Sequence, residues 1–325
     1  MLKIKDKLLS NYRFIDLFCG IGGFHNALSS FGAKCVFASD INKHATNIYE
    51  KNFNLKPFGD ITKINTKDIP KHDILAAGFP CQAFSIAGKK KGFDDTRGTL
   101  FFEIIRISKE HQPKILILEN VKNLISHDDG RTIKIIKKTL ENLDYKVYYK
   151  ILNTSNFGLP QSRKRIYFVC FKKNILKRKF HFPIGKNKQT HLSDFLEKNP
   201  KTVLEIKRND INYKEKIDLG KHNKTIRIGT VGKGGQGERI YDPRGHAITL
   251  SAYGGGIGSK TGLYKIDEII RKLTPRECAR IQGFPENFII DTSSNQAYKQ
   301  FGNSVSINVV QHIMKNIIYS LYYGV

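Results

Sequence analysis

Cys81 lies in the string Gly78-Phe79-Pro80-Cys81-Gln82, directly after the apolar run Asp73–Ala77. That places a thiol on the loop leaving the C-terminal end of a strand, where an open α/β sheet binds ligands. A thiolate is a strong nucleophile once its pKa is lowered. An isolated cysteine is ordinarily an inert buried hydrophobe. A Pro-Cys pair on a polar loop between Gly78 and Gly88 points instead to chemistry. Glu119-Asn120-Val121 follows the apolar run Lys114–Leu118, so Glu119 stands at a strand end facing the same crevice. Alone, Glu119 suits a helix cap or a surface acid equally well. Beside a nucleophilic cysteine it is a candidate acid for protonating a ring under attack. In Gln161-Ser162-Arg163-Lys164-Arg165, Arg163 and Arg165 alternate and share one side of an extended segment. They are either solvated charge or a pair that holds a carbonyl oxygen and stabilises the thiolate.

A second group of residues suits a nucleotide-like ligand. Gly20, Gly22 and Gly23 follow the apolar run Phe14–Phe18, and glycine lets backbone N–H groups approach a ligand closely. Asp40 ends a second apolar run about twenty residues on, which suits a carboxylate on ribose hydroxyls. His25 stands where a dinucleotide-binding loop has its third glycine, which argues against a nicotinamide dehydrogenase. Asp60, in Gly59-Asp60-Ile61, is either a solvated turn residue or an acceptor for an adenine amino group.

Lysine and arginine number 55 against 29 aspartates and glutamates, a net charge of +26. That is the electrostatic footprint of a phosphate-backbone binder, and an AT-rich genome would raise Lys without depressing Asp and Glu. Five cysteines with no metal-ligand spacing indicate a reduced, cytosolic protein. The N-terminus lacks a signal-peptide pattern, and no apolar run approaches a membrane span.

These residues need elements to hold them. The first half alternates strand-like runs (14–18, 34–38, 73–77, 114–118) with helical patterning, as at 99–110, and 165–170 is a further apolar strand. Such alternation predicts an α/β fold, a parallel sheet with helices on both faces. After residue 171 the chain turns Lys- and Asn-rich, then Gly-rich over 229–262 with β-like runs such as Ala247–Leu250. Helical patterning returns at 274–282 and at 304–323, where Ile307, Val310, Ile313, Ile317 and Leu321 form a stripe. The expected organisation is 1–190 as a catalytic and cofactor-binding domain and 191–272 as a smaller inserted domain of strands and loops. Residues 273–325 then form a hinge and a helix returning to the first.

Six blocks in order resemble the DNA (cytosine-5) methyltransferases. They are Phe14–Gly23, Gly78–Gln82, Glu119–Val121, Gln161–Arg165, Arg271–Arg280 and Gln300–Val305. The resemblance implies an S-adenosylmethionine-dependent, Rossmann-like doubly wound sheet with an inserted, mainly β target-recognition domain. It implies catalytic roles for Cys81 as nucleophile, Glu119 at cytosine N3, Arg165 at O2, and Arg163 in support. It implies cofactor contacts from Phe18, Gly20, Gly22, Gly23, Asp40, Ile41, Asp60, Ile61, Pro80 and Asn303, no metal, and S-adenosylhomocysteine as product. Ile41 stands where the resemblance sets a tryptophan, and the chain has no tryptophan at all. Ile41 can pack on an adenine face but offers no ring.

The runs Val231–Tyr241 and Thr249–Gly256 are similar to the recognition region of family members that read GCGC. That likeness implies methylation of the inner cytosine, flipped out of double-stranded DNA. Its DNA contacts fall on Ser85, Lys89, Gln236, Arg239, Thr249, Tyr253, Gly255 and Gly256, with Ser85–Lys91 as a loop closing over the base. A tRNA-methylating branch shares the catalytic core, but its Cys-Phe-Thr signature is missing here. The family precedent is a monomer, here cytoplasmic and nucleoid-associated in a bacterium, without a membrane partner.

Overall fold

The computed structural model describes residues 8–80, 100–186, 189–217 and 223–323. They fall into two compact units.

The first unit takes its described residues from Met1–Leu152, Lys164–Pro183 and Val310–Val325. Its strands are β1 (Arg13–Leu17), β2 (Lys34–Ser39), β3 (Ile74–Gly78), β4 (Ile115–Val121), β5 (Tyr145–Asn153) and β6 (Lys164–Lys172). They form one sheet in the order β2-β1-β3-β4-β6-β5. β1 runs parallel to β2 and β3, and β3 parallel to β4. β6 runs antiparallel to β4, so the sheet is mixed where sequence alternation predicted a parallel one. The α/β class stands, and the strand direction is corrected. Glu119, expected just after its strand, lies inside β4.

Period-two alternation sorts the strand residues between two faces. Ile15 and Leu17, Leu75 and Ala77, Leu116 and Leu118, and Ile166, Phe168 and Cys170 share one face. Against them pack Phe101, Ile104 and Ile107 of α3 (Leu100–His111) and Ile133, Ile136 and Leu140 of α4 (Arg131–Glu141). Each such side chain contributes roughly 1.5–3 kcal/mol when fully buried. Ala38 and Cys19 instead join Tyr49 and Phe53 of α2 (Lys43–Phe53), whose first turn is capped by the Asn42 side chain. The stripe of α7 (Ile307–Tyr322) is buried throughout. Among the described residues, no helix is long and apolar enough to cross a membrane.

The second unit comprises Asn153–Arg163 and the described part of Ile184–Val309. Its strands are β7 (Ile211–Tyr213), β8 (Ile226–Val231), β9 (Arg239–Asp242), β10 (Leu263–Ile266) and β11 (Ile269–Arg271). They form a sheet ordered β11-β10-β9-β8-β7 over a small core of Ile226, Ile228, Val231, Ile240, Leu263 and Ile270. Ala247–Leu250, a β-like run in the sequence, forms no ladder. Ala247 makes a single bridge to Gln161. Two helices follow. α5 (Pro275–Gln282) opens with a Thr274/Glu277 capping box, and Ser293 caps α6 (Ser294–Asn303). Glu277 also takes both guanidinium arms of Arg271 at 2.8 Å, joining the end of β11 to α5.

The turn between β1 and α1 (Gly23–Ser29) enters the left-handed region at Phe18, Gly20 and Gly22. Gly22 has no alternative there. Its φ is +85°, and an added Cβ would stand 2.2 Å from Phe53 Cε2. We expect Gly22→Ala to destabilise the fold by about 2–4 kcal/mol, combining overpacking with left-handed strain. Urea unfolding measures it, and a loss below about 0.5 kcal/mol would show that the turn repacks freely.

Candidate active site

Parallel pairing brings the exits of β1, β3 and β4 to one edge of the first sheet. Leu17 pairs with Ala77, and Gly78 with Glu119. Antiparallel β6 enters at that same edge, with Arg165 opposite Val121. The result is an ion pair: Arg165 Nε stands 3.2 Å from Glu119 Oε1, and Glu119 is buried. Asn120, also buried, donates from Nδ2 to the Phe79 carbonyl at 2.8 Å, while its Oδ1 accepts the Val121 N–H. Asn120 therefore fixes the end of β3 immediately before Pro80. It went unassigned in the sequence reading. A buried amide following an apolar strand run is the signal that could have found it.

Cys81, Ser85 and Lys89 lie outside the described residues. The thiols of Cys19, Cys35, Cys170 and Cys278 are buried. Burial pushes each of them up, Cys35 to about 12, so none is available as a thiolate at neutral pH.

The Gly20 turn is tied to β2 by one carboxylate. Asp40 Oδ2 accepts the Gly20 N–H and Oδ1 the Asn42 N–H, both at 2.8 Å. Burial raises the pKa of Asp40, and these two donors oppose the rise. Asp60 caps a short 3-10 turn, its Oδ1 accepting from the Thr62 N–H and hydroxyl. Those bonds hold its pKa below the ordinary carboxylate value. Ile61 is buried in the main core, whereas Ile41 is 75% exposed. Beside Gly20, the direction a Cβ would take is open space. The first unit thus gathers Phe18, Gly20, Asp40, Ile41, Asp60, Ile61 and Pro80 around the strand exits of β1, β2 and β3.

Gly23 begins α1 and Gly22 precedes it, against Phe53 and Tyr49. His25 is buried, stacks on Phe53 with centroids 3.9 Å apart, and bonds Tyr49 Oη through Nδ1 at 2.7 Å. Asp16 lies fully buried on β1, and burial raises its pKa.

In the second unit Arg163 is buried, and its guanidinium donates to the carbonyls of Leu250, Gly302 and Ser304 at 2.8–3.0 Å. It thus brackets Asn303, the exposed last residue of α6. Gln161 donates to the Ile281 carbonyl and to Gln282 Oε1, and accepts the Leu250 N–H. Thr249 donates its hydroxyl to the Ser162 carbonyl. Gln236 is exposed at the start of a 3-10 turn, and Tyr253 is 76% exposed. The loops carrying them touch backbone to backbone. The Gly258 N–H donates to the Gly237 carbonyl at 2.6 Å, and a Cβ on Gly237 would stand 2.1 Å from the Gly255 carbonyl oxygen. Gly255 is exposed, Gly256 has a φ of +84°, and Arg239 Nε, on β9, is buried without a hydrogen-bond partner.

The glycine turn after β1 and the buried Glu119–Arg165 pair lie at the same edge of one α/β sheet, the edge where such sheets bind ligands. The pattern of the C-5 cytosine-specific DNA methylase family matches residues 12–319, and the chain belongs to that family. The chain is 53% identical over 322 residues to the Type II methyltransferase M.HhaI of Haemophilus parahaemolyticus, covering 99% of this chain and 98% of that one. To the Type II methyltransferase M.HpaII of Haemophilus parainfluenzae it is 43% identical over 336 residues, covering 97% and 91%. The solved Entamoeba histolytica methyltransferase EhMeth shares the fold, with a TM-score of 0.71, 21% identity, and coverage of 95% and 98%. The protein is a DNA (cytosine-5) methyltransferase of the type II restriction-modification kind.

Burial lowers His25 to about 4 and likewise His72, so both are neutral in the fold and protonate when it opens. Between pH 6.5 and about 4 the unfolded chain binds more protons, so these groups make stability fall as pH drops through that window. His25→Gln should flatten the fall, leaving the part due to His72. Urea midpoints of variant and wild type at matched pH measure this, and matching on wild type cancels most of the opposite slope of Asp16. Parallel curves would mean that His25 charges in place.

Proposed function

We propose that the enzyme transfers the methyl group of S-adenosylmethionine to C5 of a flipped-out cytosine in double-stranded DNA, the inner cytosine of GCGC, through a covalent bond from Cys81 to C6. The observation that carries this reading is the Glu119–Arg165 pair beside the Phe79 carbonyl that Asn120 holds, two residues before Cys81.

The cofactor, when bound, supplies a methyl group on a sulfonium. Its fit is supported by the open space at Gly20, the Asp40 carboxylate for ribose hydroxyls and Asp60 for the adenine amine. Phe18, Ile41, Ile61 and Pro80 contribute apolar contacts, and Gly22 and Gly23 let the backbone approach. Arg163 holds the two carbonyls that flank Asn303.

Cytosine C5 is too poor a nucleophile to take a methyl group unaided. The Cys81 thiolate adds to C6, and the π electrons move toward C5 and N3. Glu119 protonates or hydrogen-bonds N3, and Arg165 holds O2 while keeping Glu119 oriented. C5 then accepts the methyl group. Loss of the C5 proton expels Cys81 and restores the aromatic ring. The base must leave the stack for this, with Ser85–Lys91 closing over it. Residues 1–190 and 273–325 house the chemistry, and 191–272 read the target. There Gln236 fills the vacated space and Arg239 reads a guanine. Thr249, Tyr253, Gly255 and Gly256 line the DNA, and Lys89 adds a phosphate contact. The protein acts as a monomer on nucleoid DNA in the cytoplasm and needs no metal.

Duplex DNA with 5-fluorocytosine at the inner position of GCGC should trap the enzyme. Fluorine replaces the proton that must leave and cannot depart as a cation, so protein and DNA stay joined. The adduct should need S-adenosylmethionine and survive denaturing electrophoresis, and Cys81→Ala should abolish it. An adduct at another cysteine would refute the mechanism. Glu119→Gln should slow turnover by roughly 10²–10⁴-fold.

Arg239→Ala should cost about 1–3 kcal/mol on cognate DNA and relax discrimination at one guanine. Binding titrations on cognate and random duplexes measure it. Equal losses on both would move Arg239 to the phosphate backbone.

A further inference from the structure

The rim around Asp40 carries a second exposed apolar side chain besides Ile41. Phe58 is 54% exposed, and a lone exposed phenylalanine needs no explanation by itself. Its position does. The Phe58 N–H donates to the Ala38 carbonyl at 2.8 Å, and its carbonyl accepts the Asp40 N–H at 3.0 Å. Ser39 and Phe58 form a parallel bridge, so Phe58 extends the sheet edge beside the end of β2. Two residues on comes Asp60. Phe58 therefore stands between the carboxylate assigned to ribose and the one assigned to adenine.

Its ring is also held in place. One face lies on buried Phe37, with centroids 4.8 Å apart and planes 14° apart. A ring covered on one face and more than half exposed presents its other face to solvent. Packing on Phe37 has already restricted its rotamers, so little ordering remains to be done when a flat ligand lands on it. Neighbouring Ile41 has no π face to offer.

We propose that Phe58 supplies the aromatic surface on which the adenine ring of the cofactor lies, the contact that Ile41 cannot make. The proposal rests on the S-adenosylmethionine reading above and adds a residue to it. Adenine meets Phe58 through its face and Asp60 through its amino edge, while ribose reaches Asp40. Offset stacking on a fixed ring accounts for roughly a five- to tenfold gain in affinity.

The chain has no tryptophan, so Phe58→Trp introduces a single fluorescent reporter at the site. Calorimetric titrations of the full chain with S-adenosylhomocysteine, and separately with adenosine, compare wild type, Phe58→Ala and Phe58→Tyr. Phe58→Ala should weaken both ligands by about five- to tenfold, and Phe58→Tyr should bind within about twofold of wild type. Adding Ile41→Trp to Phe58→Ala should recover most of the loss. The emission of Phe58→Trp should change saturably with adenosine at the calorimetric midpoint. Wild-type affinity in Phe58→Ala, or silent emission at saturating ligand, would overturn the proposal and leave Phe58 as a cover for Phe37. If Phe58→Ala does not fold, the emission titration decides alone. A wild-type protein that binds neither ligand would overturn the S-adenosylmethionine reading itself, and the role of Phe58 with it.

Discussion

The Glu119–Arg165 pair fixes which way β6 must run in the first sheet. Glu119 is buried, and removing two charges from water is costly unless geometry and further bonds repay it. The pair exists only because β6 runs against β4. An antiparallel strand enters at the edge where β4 leaves, so Arg165, the second residue of β6, arrives beside Glu119. A parallel strand would begin at the opposite edge, about 20 Å away along a seven-residue strand. Strand direction is thus a requirement of the ion pair. Asn120, next in β4, ties the same edge to the Phe79 carbonyl, so the pair and the approach to Cys81 are held by neighbouring residues of one strand.

The β1 side of that edge rests on a turn that is costly to form. Phe18, a non-glycine, has a φ of +54°, and Gly20 and Gly22 follow it into the left-handed region. The apolar packing behind the turn offsets that cost. Tyr49 and Phe53 press against Gly22, and Asp40 ties the front to β2 through the Gly20 N–H.

Much of this was legible in the chain. The apolar runs mark β1 to β3 and β6 to within a residue or two and β4 to within three, because each is largely buried and reads as a continuous stretch. The direction of β6 was not legible, since hydrophobic pattern is the same in either direction. β5 stayed hidden because it lies at the sheet's edge and carries Lys146 and Lys150 among tyrosines. Ala247–Leu250 misled in the opposite way. Its polar groups are satisfied by hydrogen bonds to Gln161 and Ser162 of a distant segment, not by a ladder. The partners of Arg163 lie 87 to 141 residues away, beyond anything spacing could reveal. Spacing grouped it with Arg165, yet the two belong to different compact units.

That division bears on how one short string can serve two tasks. The net charge of +26 attracts any phosphate backbone and carries no sequence information. Reading bases requires side chains fixed relative to one another. In the second unit the Gly237–Gly258 bond and the missing side chain at Gly237 clamp two loops together, so exposed Gln236 and Tyr253 sit on a single stiff frame. Arg163 ties the segment leading to Tyr253, through the Leu250 carbonyl, to the carbonyls on either side of Asn303. A change in the recognition loops therefore has a short covalent and hydrogen-bonded route to the residue proposed to touch the cofactor. Two residues further along the same chain, Arg165 pairs with Glu119. A substitution at Arg163 consequently loosens the Leu250 segment and the backbone on either side of Asn303 together, whereas one at Arg165 removes the partner of Glu119.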